Sequence, residues 1–265
     1  MAYKLVEHYK KPWVLHLSDP WTFKSKKDGQ LDESEKWNLE WEEKCFQKAS
    51  VVCLTSKKTI EFYKNKYPQF SDKFQFFPNV YDLNELDTNS IIQEKNIKRT
   101  KFLYTGGLTL ERNPKVLLEC LNELYKEQPE LMLSSSFQFI GPKDSYVNNL
   151  FKEFSLPFIE SLGPISYFES KEIQKKSDIL LLLDAPMKDP NKAVFFPSKL
   201  LDYMIICKPI LAISPHFSTT SEVIKEYKKE IKIPVSFYNL IFLKIKNLLD
   251  KYLKKDNKQY NIVAI

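Results

Sequence analysis

Glycine is scarce in this chain, with five residues among 265. That scarcity excludes a collagen-like repeat or a glycine-rich flexible linker. Cysteine is equally sparse. Cys45, Cys53, Cys120 and Cys207 stand far apart with no Cys-x-x-Cys pair. They read as buried, reduced thiols of a cytoplasmic protein, not as a disulfide frame or a zinc site. No apolar run approaches the roughly 20 residues that cross a bilayer. The stretch Met1 to Lys11 is basic but has no apolar segment behind it, so it does not read as a signal peptide. There is no Walker loop and no Gly-x-Ser-x-Gly elbow, which argues against P-loop chemistry and serine hydrolysis. Basic residues do not interleave with aromatics in a nucleic-acid-binding pattern, so no nucleic-acid partner is expected.

Charge of neither sign dominates. Forty Lys and Arg against 34 Asp and Glu leave a net charge of +6, and hydrophobic residues make up 43%. This is ordinary globular composition with a mild preference for anionic partners. Between Lys244 and Lys258, Ile245, Leu248, Leu249, Tyr252 and Leu253 recur at helical spacing among lysines. That pattern predicts an amphipathic helix packed on the core, with peripheral membrane contact as a second reading.

Short apolar runs alternate with helical patterns along the chain. Strands are predicted at Trp13–Leu17, Val51–Leu54, Phe74–Phe77, Lys101–Tyr104, Phe137–Ile140, Phe158–Leu162, Ile179–Leu183 and Ile210–Ile213. Between them lie helices over Ser34–Ala49, from Ser56 through Phe62, and over Asn113–Lys126, Tyr146–Phe154 and Ser170–Lys175, and one opened by Pro197. Apolar strands with little alternation, separated by helices, imply parallel sheets covered on both faces. The segment Tyr81 to Arg99 is polar and patternless, as between domains. The expected organisation is α/β: two doubly wound, Rossmann-like units over residues 1–82 and 100–265, joined by a linker at 83–99.

The block from Phe195 to Met204, followed by Lys208-Pro209-Ile210-Leu211-Ala212, is the most informative. Pro197 suits the first turn of a helix, where its missing N–H costs nothing. The first-turn N–H groups then face an anion, and Lys199 adds a positive charge. One turn on, Asp202 can accept two hydroxyl hydrogen bonds, as a ribose would supply them. A diphosphate at the helix start with a ribose beside it is one way to hold a sugar nucleotide. An ordinary capped helix leading into a core strand is the other reading.

Taken in order, these blocks resemble GT-B glycosyltransferases, close to the large retaining family of bacterial polysaccharide and lipopolysaccharide transferases. Leu15-His16-Leu17-Ser18-Asp19-Pro20-Trp21 resembles a strand and loop of that family's first domain. Ala49 to Ser56 resembles its next strand, and Phe76-Phe77-Pro78-Asn79-Val80-Tyr81-Asp82 the crossing into its second domain. Leu103 to Leu108 with Arg112 resembles its donor loop. Phe139-Ile140-Gly141, Leu162 to Ile165, Ser177 to Leu181 and Phe195 to Ala212 resemble its donor-domain strands and signature helix.

The resemblance implies a donor site built from Gly106, Gly107, Arg112, Gly163, Tyr167, Ser198, Lys199 and Asp202. Arg112, Ser198 and Lys199 would take the diphosphate, and Gly106 and Gly107 would let backbone approach it. Asp202 would hold the ribose, and the Gly163–Tyr167 loop would meet the base. His16, Ser18 and Asp19 would lie on the acceptor side. The implied activity is metal-independent transfer of a hexose, with retention, from a nucleotide diphosphate sugar to a surface-glycan or lipid-linked acceptor. No cofactor is implied, and the implied location is the cytoplasm or the inner face of the membrane. On residues alone each position has a plainer alternative. Arg112 serves as well as a surface arginine, Gly106-Gly107 as a turn, Asp202 as a solvated helix residue, and His16 as a core histidine.

The chain also departs from the pattern. The family's first signature glutamate would fall at Val194, eight residues before Asp202. Gly107 stands where an arginine is usual, with Lys115 or Lys199 able to substitute. The first unit resembles only the latter part of the family's first domain, and the chain ends where a closing helix is usual. This predicts an incomplete first domain. It also supports an alternative function: the nucleotide-sugar-binding half of a split or degenerate transferase that needs a partner chain.

Overall fold

The computed structural model describes residues 2–23, 31–80, 99–185, 193–230, 243–245, 247–249 and 260–264. The chain forms two compact units, Met1–Val80 with Asp189–Ser198, and Tyr81–Lys188 with Lys199–Ile265. Residues 83–98 of the expected linker lie outside the described residues. No helix among the described residues is long and apolar enough to cross a membrane.

The first unit contains helix α1 (Ala2–Tyr9), strand β1 (Val14–Leu17), α2 (Glu33–Lys48), β2 (Val51–Leu54), α3 (Lys57–Lys66), a 3-10 helix (Pro68–Lys73) and β3 (Phe74–Phe76). The three strands form a parallel sheet in the order β1-β2-β3. Asp32 starts α2 through a reciprocal capping box with Glu35, and Ser56 starts α3 by accepting from the Thr59 N–H. Phe46 of α2 and Tyr63 of α3 pack with Val52, Leu54 and Phe74 on one face of this sheet. The opposite face carries Val14, which is 61% exposed, and His16, also exposed.

Glu42 ties this unit together from a fully buried position. Its carboxylate accepts from the hydroxyls of Tyr63 and Tyr67, both at 2.8 Å, and from the Thr22 N–H at 3.1 Å. The Lys66 ammonium, on a side chain 5% exposed, completes the set at 2.5 Å. Burial, reinforced by this carboxylate, pushes the Tyr63 and Tyr67 phenols well above the ordinary tyrosine range. All four tryptophans of the chain, Trp13, Trp21, Trp37 and Trp41, line an apolar cleft of about 410 Å³ in this unit, beside Tyr3 and Cys45.

The second unit runs β4 (Thr100–Thr105), α4 (Lys115–Glu127), α5 (Pro129–Leu133), β5 (Ser135–Ile140), α6 (Ser145–Phe154), β6 (Ile159–Leu162), α7 (Tyr167–Lys176), β7 (Ile179–Leu183), α8 (Ser198–Ile206), β8 (Ile210–Pro215), α9 (Thr219–Glu230) and β9 (Tyr260–Ala264). Its sheet has the order β6-β5-β4-β7-β8-β9, parallel except for the antiparallel edge strand β9. Every residue of β7 and β8 is buried, as two covered faces require. Phe102 and Phe137 stack across neighbouring strands at 4.3 Å. Strand order reverses between β4 and β7, and such a switch point opens a crevice at the carboxyl ends of the strands.

Several details differ from the sequence reading. Helix α7 begins at Tyr167, not Ser170, because Ser166 and Glu169 form a capping box that starts it earlier. Helices α1, α5 and α9, the 3-10 helix and strand β9 are not among the elements expected from the sequence. Residues 243–245 and 247–249 are helical, with Ile245 and Leu249 fully buried against the core. The remainder of the predicted Lys244–Lys258 helix lies outside the described residues. Cys207 is exposed and Cys53 half-buried, so only Cys45 and Cys120 are core thiols.

Candidate functional site

The crevice of the second unit is built on the last residues of β4. Gly106 follows Thr105 with a φ of +128°, a conformation that L side chains rarely adopt. A Cβ there would overlap the Lys199 ammonium. Gly141, at the end of neighbouring β5, has a φ of +140°, and its Cβ would overlap the Gly106 carbonyl oxygen. The two glycines therefore let the ends of β4 and β5 touch while leaving room for a cation above. Gly107 needs no such freedom, since a Cβ there meets only Pro142 at 3.8 Å.

Lys199 reaches this point from the first turn of α8. Its ammonium lies 4.0 Å from the centre of the Tyr104 ring. Burial brings its pKa down to about 7, with the Arg112 guanidinium acting in the same direction and Asp184 and Asp202 opposing. Asp184 follows β7 directly and accepts from the Ser214 hydroxyl at 2.6 Å. Tyr104 donates to the Gly107 carbonyl at 3.0 Å, and burial holds its phenol far above the usual range.

Arg112 is exposed on a loop whose preceding residues are pinned to the segment after β5. The Leu108 N–H donates to the Pro142 carbonyl at 3.0 Å, and the Leu110 N–H to Asp144 at 2.6 Å. Asp144 also caps α6 through the Val147 N–H at 2.9 Å. Within the loop, the Thr109 N–H donates to the Arg112 carbonyl at 3.0 Å. The arginine is thus presented by a fixed backbone, not by a loose loop.

Asp202, one turn into α8, is ion-paired. Lys171 of α7 meets its Oδ1 at 2.5 Å, with only 13% of the lysine side chain exposed. Burial disfavours the Lys171 charge, but hydrogen bonding to Asp202 and then Tyr167 holds its pKa above the ordinary lysine value. Its ammonium sits 5.3 Å from the Tyr167 ring centre. Gln174, one turn further along α7, donates to Thr105 Oγ1 at 2.8 Å, and the Tyr203 hydroxyl lies 3.3 Å from the same atom. Both α7 and α8 are thereby anchored to the end of β4.

Of the sequence candidates in this unit, Gly106, Arg112, Lys199 and Asp202 converge on one place. Tyr167 joins through Lys171 and leaves 55% of its surface exposed. Ser198 is exposed at the start of α8, and Gly163 is exposed with nothing within 4 Å of a Cβ. Tyr104 and Lys171 were missed. A signal existed for Lys171, which lies four residues after Tyr167 and so shares its helix face.

In the first unit, His16, Ser18 and Asp19 lie at and beyond the carboxyl end of β1. His16 packs edge-on against Phe77 at 5.8 Å. The Ser18 carbonyl accepts from Thr55 Oγ1 at 2.7 Å. Desolvation raises the Asp19 carboxyl above the ordinary aspartate value. Val194 is buried, and its carbonyl accepts from Ser56 at 3.0 Å and Thr59 at 3.1 Å. No carboxylate occupies that position.

Neither a protein-family profile nor a curated protein matches the sequence. Solved structures do match. HepE from Anabaena, crystallised with UDP and glucose, superposes with a TM-score of 0.57 at 13% identity, over 97% of this chain and 66% of that one. The GtfA/B complex gives 0.58 at 12% identity over 97% of this chain and 48% of that one. A glycosyltransferase from Rickettsia africae gives 0.53 at 13% identity, over 96% and 78%. The chain thus spans just under two thirds of the HepE chain and about half of the GtfA/B chain. These neighbours are GT-B glycosyltransferases, and the α/β fold of this chain, with its two Rossmann-like units, is theirs.

Proposed function

We propose that this chain binds a nucleotide diphosphate sugar at the β4–α8 crevice and acts as a glycosyltransferase on it. The observation that carries the reading is the Lys199 ammonium seated against Gly106, its charge disfavoured by the Arg112 guanidinium, at the switch point of a parallel sheet and the start of a helix. The Lys199 charge, disfavoured in the free protein by burial and by Arg112, would be favoured by an anionic ligand bound beside it. The α8 dipole and its first-turn N–H groups add to the attraction. A diphosphate leaving from a sugar gains charge as the bond breaks, and Arg112 with Lys199 would stabilise that charge without a metal ion. Asp202 is the acceptor for ribose hydroxyls, and the exposed Tyr167 ring offers a surface beside the base. The acceptor is a surface glycan or a lipid-linked glycan, with His16, Ser18 and Asp19 of the first unit as its polar contacts and retention at the sugar. HepE, solved with UDP and glucose, supports this choice of donor.

A second reading is favoured by the first unit. Parallel sheets are ordinarily covered on both faces, yet among the described residues Val14 and His16 leave one face of β1 exposed. A partner polypeptide that covers this face would complete the acceptor side. The two-chain GtfA/B complex has the same fold.

Calorimetric titration with UDP and GDP tests the donor reading. Micromolar binding of one of them, weakened at least tenfold by Arg112→Ala, is the expected result. A folded wild-type chain that binds neither overturns it.

A further inference from the structure

We infer that Tyr104 is a positioning residue whose ring face holds the Lys199 ammonium, charged, over the crevice at Gly106. The inference rests on the nucleotide reading of this crevice and deepens it by naming what keeps the cation in place before a ligand arrives. The ammonium lies 4.0 Å from the centre of the ring. The face of an aromatic ring carries the negative part of its quadrupole, so it attracts a cation above it, most strongly where water is excluded. Lys199 is in that situation. Asp184 and Asp202 favour its charge and Arg112 opposes it, but among the described residues no carboxylate forms an ion pair with it. Asp202 pairs with Lys171 instead.

The ring is itself fixed. Tyr104 is fully buried on β4, and its hydroxyl donates to the Gly107 carbonyl at 3.0 Å. The Phe139 ring of β5 stands 6.2 Å from it. The Gly106 N–H donates to the Ile140 carbonyl at 2.8 Å, so the turn that the hydroxyl grips is tied to β5 as well. Gly106 leaves the space that the ammonium fills, since a Cβ there would overlap it. Lys199 enters from the first turn of α8, and Tyr203 of the same helix meets β4 at Thr105 Oγ1, at 3.3 Å. Ring and cation thus belong to two elements joined one residue beyond the ring. A leucine at position 104 keeps an apolar neighbour but has no quadrupole. The ammonium would stay desolvated and lose the attraction, so its pKa should fall. A ring that only filled space predicts the opposite sign, because a smaller side chain admits water and raises the pKa.

Trace labelling of amines with acetic anhydride across the pH range, read by mass spectrometry of the Lys199 peptide, gives the midpoint of that lysine with no nucleotide present. Wild type is expected to titrate at about 7. Tyr104→Phe should stay within about half a pH unit of wild type, and Tyr104→Leu should fall by about one. Calorimetry with UDP and GDP, slightly above neutral pH, reads the consequence. Whichever nucleotide wild type binds should bind Tyr104→Leu at least about fivefold more weakly, because fewer molecules carry the charge, and Tyr104→Phe should keep most of the affinity. A lowered midpoint and weaker binding in Tyr104→Leu, both restored in Tyr104→Phe, support the assignment. An unchanged or raised midpoint in Tyr104→Leu, an equal fall in Tyr104→Phe, or a lowered midpoint with unchanged nucleotide affinity overturns it while the nucleotide reading stands. A wild type that binds neither nucleotide overturns the nucleotide reading, and the labelling midpoints then judge the ring by themselves. If Tyr104→Leu does not fold, pentafluorophenylalanine placed at position 104 keeps the shape of the ring, inverts its quadrupole, and is judged by the same midpoint.

Discussion

Replacing Lys199 with methionine should make the free protein more stable and abolish its nucleotide binding. Methionine keeps the length and apolar stem of lysine but removes the ammonium. In the folded chain that ammonium titrates at about 7, against an ordinary value of 10.5, because it is buried and faces Arg112. At 1.36 kcal/mol per unit, the difference is a cost of roughly 5 kcal/mol to the folded state. Part of the side chain still meets water, and Asp184 and Asp202 lose a cation. A net gain of about 1–3 kcal/mol is therefore expected. The sign follows from proton counting. Below pH 7 both states carry the proton and the cost is complete. Between pH 7 and 10.5 the unfolded chain holds the proton that the folded chain has lost, so wild-type stability rises with pH and the advantage of methionine shrinks. Urea unfolding of both proteins, followed by far-ultraviolet circular dichroism between pH 6 and 9.5, measures the difference. A methionine variant less stable than wild type at pH 6, or an advantage that does not change with pH, refutes the reasoning. The same electrostatics require wild type to take up a proton when it binds a diphosphate above pH 7. Calorimetry in buffers of different ionisation enthalpy reads that proton directly.

Gly141→Ala should cost at least about 2 kcal/mol, because its Cβ overlaps the Gly106 carbonyl and its φ is positive; scanning calorimetry gives the loss, and an unchanged melting temperature would count against the close approach of β4 and β5. Glu42→Ala leaves the buried Lys66 ammonium without its carboxylate, which should destabilise the first unit by about 3–5 kcal/mol. Every tryptophan lies in that unit, so intrinsic fluorescence during urea unfolding isolates the effect, and a midpoint shift confined to circular dichroism would contradict it. A thiol reagent should label exposed Cys207 quickly, while buried Cys120, its pKa pushed up to about 12, should react only on unfolding; mass spectrometry of the labelled peptides decides.

The α/β alternation was legible because local chemistry wrote it. Ile179–Leu183 is apolar without alternation and Ser56 caps a helix, and both features act over a few residues. Helix α7 starts three residues before Ser170 because the Ser166–Glu169 capping box, a signal within the sequence itself, fixes its first turn. Strand β9 escaped because an antiparallel edge strand is defined by its partner β8, not by its own pattern. In the crevice, Lys199 and Asp202 follow from the chemistry of a helix start and Gly106 and Arg112 from motif order; Lys199 lies against Gly106, and Arg112 and Asp202 act on its charge. Gly163, named from the resemblance, has open space where a Cβ would stand.

The residues alone determined the class of the fold and which side chains carry charge near the switch point. Periodicity, caps and helix starts are properties of neighbours in the chain. Tertiary structure alone decided what those side chains meet. Lys171 and Asp202 lie 31 positions apart and pair because two helices share Thr105 as an anchor. Gly106 needs its missing Cβ because a lysine from α8 lies above it and Gly141 presses from β5. Glu42 is buried because two tyrosines, a lysine and a backbone N–H converge on it. Such contacts join distant segments whose separation leaves no period in the sequence, so they exist only once the sheet has brought its helices together.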